Sequence, residues 1–579
     1  MKKLLLSLSF LFASAFIFAA PRSLSQMKEA AKSVLKAAPA ATRGGQAQLE
    51  VLKQGVQYTV IGYTSGGFAV ITNDDRFNAV IGYSDRQFST DALPPAMLWW
   101  MDAADEALRL CLESGATVRE SVTPGSMGYP EAVGQLLHTE WDQGTPYNDK
   151  IVEKARGIEY PTGCVATAMA QIMKYYNWPD HGTDFHSYRC TPEGTTTALS
   201  LSADFENTEY DWGNMLDAYP MGGYNEAQAN AVAELMLHCG VAVEMNYGLN
   251  GSGAQSSDAA TAMSEYFKYN TKFYMRDIYS GEHEWMGIIY EEISNRRPVL
   301  YGGATASGAG HAFVFDGYDA NGLVHVNWGW SGSGNDYFDV AILDSRTGAY
   351  SYQQDMIVVH HPDAPEIQAN SQWGILPTQT WITNTKETFD THGYFRLQAS
   401  GKTLTFNMMN VANCDASPFT GTFALLAAPD GGGTPHELFT QETSNVECYY
   451  GIGIPGNEYS NSASIASLPD GTYRVYLATK ATTETDWQPV RSNETIVNNY
   501  IITKRGMSVS VDEGEPGWTT GIESVTVTGG NGDGTVRVYT ADGVLVYTAS
   551  AAGFRLDDVP ARGLLIVKRG AETVKVVKK

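Results

Sequence analysis

Six cysteines among 579 residues are too few to staple a chain of this size, so hydrophobic cores rather than a disulfide scaffold must hold it together. Beyond the first twenty residues no stretch approaches the roughly 18 apolar residues that a membrane-spanning helix requires. Positive charge is scarce as well. The chain has 39 Lys+Arg against 64 Asp+Glu, a net charge of −25, which argues against nucleic acid or an anionic membrane as a general partner. Metal-ligand spacing is missing: His181 and His186 fall in one loop with no companion ligands. No long-period internal repeat is present.

What is there begins with Lys2 and Lys3, an apolar run from Leu4 to Phe18 and the small residues Ala19 and Ala20, the pattern of a secretory signal peptide. Export is therefore expected. For an exported chain, Cys190 with Cys239 and Cys414 with Cys448 are candidate bridges, the alternative being buried free thiols. Cys111 has no obvious partner.

The length calls for several domains. Helix formers dominate from Ser23 to Leu35, and short β-type runs with Gly and Asp turns follow from Leu49 to Tyr83, making a small α+β unit. Pro94 and Pro95 open a helix at the position where a missing N–H costs least. The stretch around Ser121–Tyr129 reads as a linker. From Gln135 to about His361 the chain carries helices at Glu226–Leu237 and His283–Asn295 and Gly-rich loops. Beyond His361 the texture turns β until about Ser510, as a β-sandwich requires. A last all-β unit begins near Gly521, with Asp542-Gly543 as a hairpin turn.

The chemistry resides in the central segment. Gly163 allows close backbone approach, and VATAMAQIMKYYN after Cys164 is a helical run stopped at Trp178-Pro179. Cys164 then opens a helix, where the aligned peptide dipoles and a nearby imidazolium lower a thiol pKa and leave a thiolate at neutral pH. Taken alone, such a cysteine reads more readily as a buried small residue, and the downstream histidine reverses that. Far downstream, His311 follows a Gly-rich loop and starts the apolar run AFVFDGY, so it stands at a strand edge, as a general base should. His325 lies inside LVHVNW and reads as a structural histidine. Asn327 is on the return arm of the same hairpin and can accept the imidazole N–H, fixing its tautomer. A two-residue turn at Asn321-Gly322 would set Asn327 opposite Asp316, so facing His311 requires a longer loop or a bulge. Trp328 either shields that contact from water or packs in a β core. The backbone N–H of Cys164 and the side-chain amide of Gln143, in a Gly-flanked turn, are candidate oxyanion donors.

At these residues the chain resembles the streptopain family of papain-like cysteine peptidases from residue 23 to about 361, through WDQGTPYN, TGCVATAMAQIMKYYNWP, GHAFVFDGYD and VHVNWGW in that order. The resemblance implies an α+β fold: a papain-like catalytic domain at 125–362, preceded by an α+β inhibitory propeptide at 20–124; the patterns read above add the signal peptide at 1–19 and the β-sandwich at 363–518. It implies Cys164 as nucleophile, His311 as general base and Gln143 as oxyanion donor, with Asn327 and Trp328 in the family's Asn-Trp-Gly-Trp stretch and no metal or organic cofactor. The implied partners are protein and peptide substrates, host proteins among them, and the chain's own propeptide. An apolar residue is implied two positions before the scissile bond. Maturation would cut between about Glu113 and Met127, and the loop Thr305–Gly310 would move. Residues 519–579 resemble the C-terminal sorting domain of type 9 secretion cargo, through VRVYTADGVLVY, ARGLLIVK and KVVKK. That implies a route through the periplasm to the outer-membrane surface or the medium, with the type 9 machinery as partner.

Two other readings compete. One is a Cys/His amidase or transglutaminase-like enzyme. The other is a surface adhesin whose β domain binds while the peptidase is vestigial, which the intact Cys164, His311 and Gln143 argue against.

Overall fold

The computed structural model describes residues 21–36, 48–90, 93–114, 122–304, 310–343, 352–367, 370–377, 379–382, 388–430, 433–453, 457–519, 535–540, 545–550, 563–569 and 572–578. The signal-peptide segment, residues 115–121 and residues 305–309 lie outside them.

The N-terminal unit begins with α1 (Leu24–Val34). It starts where Ser23 and Gln26 form a reciprocal capping box, which satisfies otherwise orphan N–H groups. The strands β1 (Glu50–Gln54), β2 (Tyr58–Gly62), β3 (Phe68–Thr72) and β4 (Val80–Ser84) follow as an antiparallel meander. One face buries Ile61, Ala69 and Ile71 against Met27 and Ala31 of α1. The other carries Val60, Phe68 and Val70 into the same core as α2 (Pro95–Ser114). Both faces are covered, which is why β2 and β3 are buried at every position rather than alternating.

The central unit holds α3 (Asp149–Lys154), α4 (Cys164–Tyr176), β5 (Phe185–Cys190), β6 (Leu199–Asp204), α5 (Glu226–Ala242), α6 (Ser256–Glu265), β7 (Asn270–Met275), α7 (Gly281–Ser294), β8 (Val299–Ala304), β9 (Gly310–Tyr318), β10 (Val324–Asn327), β11 (Asp336–Phe338) and β12 (Tyr352–His360). Of these strands, β5 and β6 pair only with each other, and the rest do not form a separate sheet. The order β1-β2-β3-β4-β11-β10-β9-β8-β12-β7 runs through both units as one ten-stranded sheet. Two pairs make the junction, Tyr337 with Tyr83 and Phe338 with Gly82. Around it Trp100 meets Phe338 edge-on at 5.0 Å and donates its indole N–H to the carbonyl of Asp339 at 2.9 Å. Arg86 forms an ion pair with Glu140 across the same seam.

The segment after residue 372 packs a three-stranded sheet (394–400, 403–409, 459–464) against a larger one built on 419–429, 436–446, 471–481, 499–505 and 508–513. Between them lie Phe406, Met408, Phe423, Leu425, Val475 and Ile502, the two-sheet core of a β-sandwich. It is fastened to the central unit. Arg491 reaches Glu284 of α7 at 2.6 Å and lies over the ring of Tyr279, while Ser280 donates to the carbonyl of Gly517 at 2.9 Å. Lys272 pairs with Asp415. Near the C-terminus, strands 535–540, 545–550, 563–569 and 572–578 form an antiparallel sheet. Its first two strands make the hairpin expected around Asp542-Gly543, whose turn lies outside the described residues.

Cys190, Cys239, Cys414 and Cys448 are free thiols, so neither candidate bridge is formed. Cys239 is buried on α5 with its sulfur 3.8 Å from that of Met173, the small-hydrophobe role.

Candidate active site

Helix α4 begins at Cys164 because Gly163, with φ +90°, turns the chain into it. A side chain at Gly163 would meet the Met245 thioether at 2.7 Å and the carbonyl of Ser252 at 3.0 Å. Positive φ and close packing together leave room only for glycine. The first turn is further held by Thr167, whose hydroxyl donates to the carbonyl of Gly163 at 3.0 Å and lies 2.9 Å from that of Thr162. From Val165 to Met173 every residue of α4 is buried, so the helix threads the core and fixes the thiol at its leading end.

The strand bearing His311 arrives beside it. The N–H of Ala312, the next residue, lies close enough to the Cys164 thiol to favour its thiolate, as do the helix-terminal N–H groups of Cys164 and Val165. These donors pull the thiol pKa down, but burial outweighs them and the thiol stands above its ordinary value. This corrects the expected thiolate: the helix terminus is present, but no imidazolium is. Among the described residues no hydrogen bond joins Cys164 to His311, and burial pushes the His311 imidazole down, toward the neutral form.

Register explains the separation. His311 pairs with Gly303 and Ala312 with Gly302, and directly paired residues share a sheet face while neighbours alternate. Trp99 of α2 covers the His311 face: a side chain at Gly303 would strike its indole at 2.7 Å, and its ring lies 6.2 Å from that of Phe313. The N-terminal unit thus occupies the histidine's side of the sheet.

Gln143 accepts the N–H of Thr162 at its backbone carbonyl, at 3.0 Å, which brings its half-buried side chain to the turn leading into Cys164. The hairpin of β9 and β10 contains the anticipated bulge, between His325 and Val326, and Asn327 falls opposite Val314. In this structure it is not brought onto His311. Its amide donates to the carbonyl of Thr139 at 2.7 Å and accepts the N–H of Gly329 at 3.1 Å, while Thr139 bonds Gln171 of α4 at 2.9 Å. Asn327 therefore ties the hairpin to the helix that opens on Cys164. Trp328 is a core residue, 4.9 Å from Phe313 and 5.3 Å from Phe338, with its indole N–H on the carbonyl of Gly334 at 2.9 Å. His325 pairs with buried Asp316, which raises its pKa against the effect of burial. His186 pairs with Glu244.

Sequence reasoning missed Trp99 and the N–H of Ala312. The Trp-Trp pair in AMLWWMDAAD was a visible signal for the first; nothing local marks the second.

A buried helix opening on cysteine, laid against a strand that opens on histidine, defines the class of papain-like thiol peptidases. The Peptidase C10 family matches residues 141–338, and the Spi protease inhibitor family matches residues 14–108. Streptopain of Streptococcus pyogenes is 33% identical over 303 residues, covering 49% of this chain and 74% of streptopain. The thiol protease/hemagglutinin PrtT of Porphyromonas gingivalis is 31% identical over 336 residues, 54% of this chain but only 37% of PrtT. Among solved structures, a prointerpain A fragment from Prevotella intermedia is 41% identical with a TM-score of 0.48, covering 54% of this chain and 98% of that fragment. Active interpain A from the same organism is 42% identical with a TM-score of 0.37, covering 41% of this chain and 97% of that one. The chain belongs to the peptidase C10, or streptopain, family of cysteine peptidases and carries an inhibitor propeptide domain of the Spi type.

Proposed function

We propose that this protein is an exported zymogen endopeptidase in which Cys164 is the nucleophile, His311 the general base and acid, and Gln143 an oxyanion donor. Once the propeptide leaves, His311 takes the thiol proton and the thiolate attacks a peptide carbonyl. The Cys164 and Gln143 N–H groups then stabilise the oxyanion. Collapse of the tetrahedral species passes the proton to the leaving amine and leaves a thioester. Water, deprotonated by His311, releases the acid product and restores the thiol.

The observation that carries this reading is the contact of the Cys164 thiol with the N–H of Ala312, while Trp99 occupies the His311 face. The nucleophile is built, and the base is one residue away on the wrong side of the strand. Residues 20–124 would act as the inhibitor and 519–579 as a type 9 sorting domain delivering the protein to the cell surface or medium. Asn327 and Trp328 would hold the site rather than react.

Purified full-length protein, incubated with reductant at neutral pH, tests this beside Cys164→Ala. The wild type should shed its N-terminal unit and then digest casein, and the variant should do neither. If both proteins stay intact on incubation and remain inert even after a trace protease has cut the linker, the reading fails.

A further inference from the structure

On the sheet face shared by Ala312, a cross-strand row runs from Ala312 on β9 to Gly302 on β8, Asp355 on β12 and Met275 on β7. Asp355 is 6% exposed. Its carboxylate leans out of its own strand into the space a side chain at Gly302 would take: a Cβ there would lie 2.5 Å from Oδ1 and 2.8 Å from the Ser256 hydroxyl. Ser256 hydrogen-bonds the carboxylate, yet Oδ1 has no hydrogen-bond partner. A buried carboxylate oxygen without a donor is costly unless something supplies one.

Its position says what could. Adjacent strands lie about 4.8 Å apart, so a carboxylate seated over Gly302 is roughly one strand spacing from Ala312, whose N–H holds the thiol. Half-exposed Ser256 opens α6 beside it. The groups around it are no counter-charge: Asp258 lies two residues along α6, and Cys448 and Tyr449 of the β-sandwich stand within its electrostatic reach. Burial holds its carboxyl up at about 7, as for an acid still lacking a cation.

We propose that Asp355 is a specificity-determining residue of the substrate cleft, its Oδ1 receiving a cationic side chain, lysine or arginine, of the polypeptide bound at Cys164. Gly302 is the companion requirement, since any larger residue would fill the carboxylate's place. This rests on the peptidase reading above and adds to it a basic-residue preference at one subsite, beyond the apolar preference that the family resemblance implies.

The test uses matured enzyme and Asp355→Asn, which keeps the side chain's shape. Fluorogenic peptides carry lysine or norleucine in turn at each of the four positions before the scissile bond. The readout is the ratio of kcat/KM for lysine over norleucine, in which the fraction of folded enzyme cancels. At one position the wild-type ratio should exceed that of Asp355→Asn by at least tenfold, and Gly302→Ala should reduce it similarly. Ratios equal within twofold at all four positions would overturn the proposal while leaving the peptidase intact. If matured wild type cleaves none of the peptides and no casein, the peptidase reading falls and this one with it.

Discussion

Trp99 is the residue through which the propeptide's grip on the site can be measured. It is 4% exposed and stands over Gly303, the residue paired with His311. Truncating a buried Trp to Ala costs about 3–5 kcal/mol. Among the described residues the indole N–H of Trp99 has no hydrogen-bond partner, so its removal returns about 1–2 kcal/mol of that cost, leaving about 1–4 kcal/mol, centred on about 2.5 kcal/mol. Trp99 contacts both its own unit and the β8–β9 edge, so we assign about half, roughly 1.4 kcal/mol, to docking, which is a factor of about ten in the docked fraction. Trp99→Ala should therefore mature about tenfold faster than wild type when full-length protein at equal concentration is followed by gel and by casein hydrolysis. A Trp99→Ala/Cys164→Ala double variant should not mature at all. Maturation within twofold of wild type, alongside the expected drop in Tm, would mean that Trp99 merely stabilises its own unit and does not restrain the histidine.

Because burial holds the Cys164 thiol above its ordinary pKa, little thiolate exists at neutral pH in the zymogen. The thiolate is the form that alkylates, so iodoacetamide should react slowly there, faster as pH rises, and at least about tenfold faster at pH 7 after maturation; equal rates before and after would contradict this. Replacing Gln143 by Ala should lower kcat about 100-fold or more with little change in KM, the signature of a lost oxyanion donor. Arg491→Met removes a buried guanidinium bound to Glu284 and stacked on Tyr279. It should destabilise the protein by about 2–3 kcal/mol in urea unfolding, less than a fully buried pair because Glu284 is partly exposed.

Much of this protein was readable from local signals. The helices at Leu24, Pro95 and Glu226 were marked by caps, prolines and helix formers, because a helix closes its hydrogen bonds within a few residues. A longer loop or a bulge between β9 and β10 was expected in order to set Asn327 opposite His311; the bulge is present, but Asn327 falls opposite Val314. Cys164 at a helix start was visible in a glycine followed by an unbroken helical run. The thiol's charge state was not, since it depends on how completely other segments exclude water and on which side of a strand His311 falls.

By itself, then, the sequence determined several of the helices, the β texture after His361 and the local settings that mark Cys164 and His311 as candidates, because each is encoded by neighbouring residues. Only the tertiary structure decided that β4 and β11 join two units into one sheet, that Trp99 stands on the histidine's face, that the β-sandwich is fastened through Arg491, and that Asp355 occupies the place of a missing Gly302 side chain. Each of those depends on residues far apart in the chain meeting with a particular register and facing, and no local pattern carries that information.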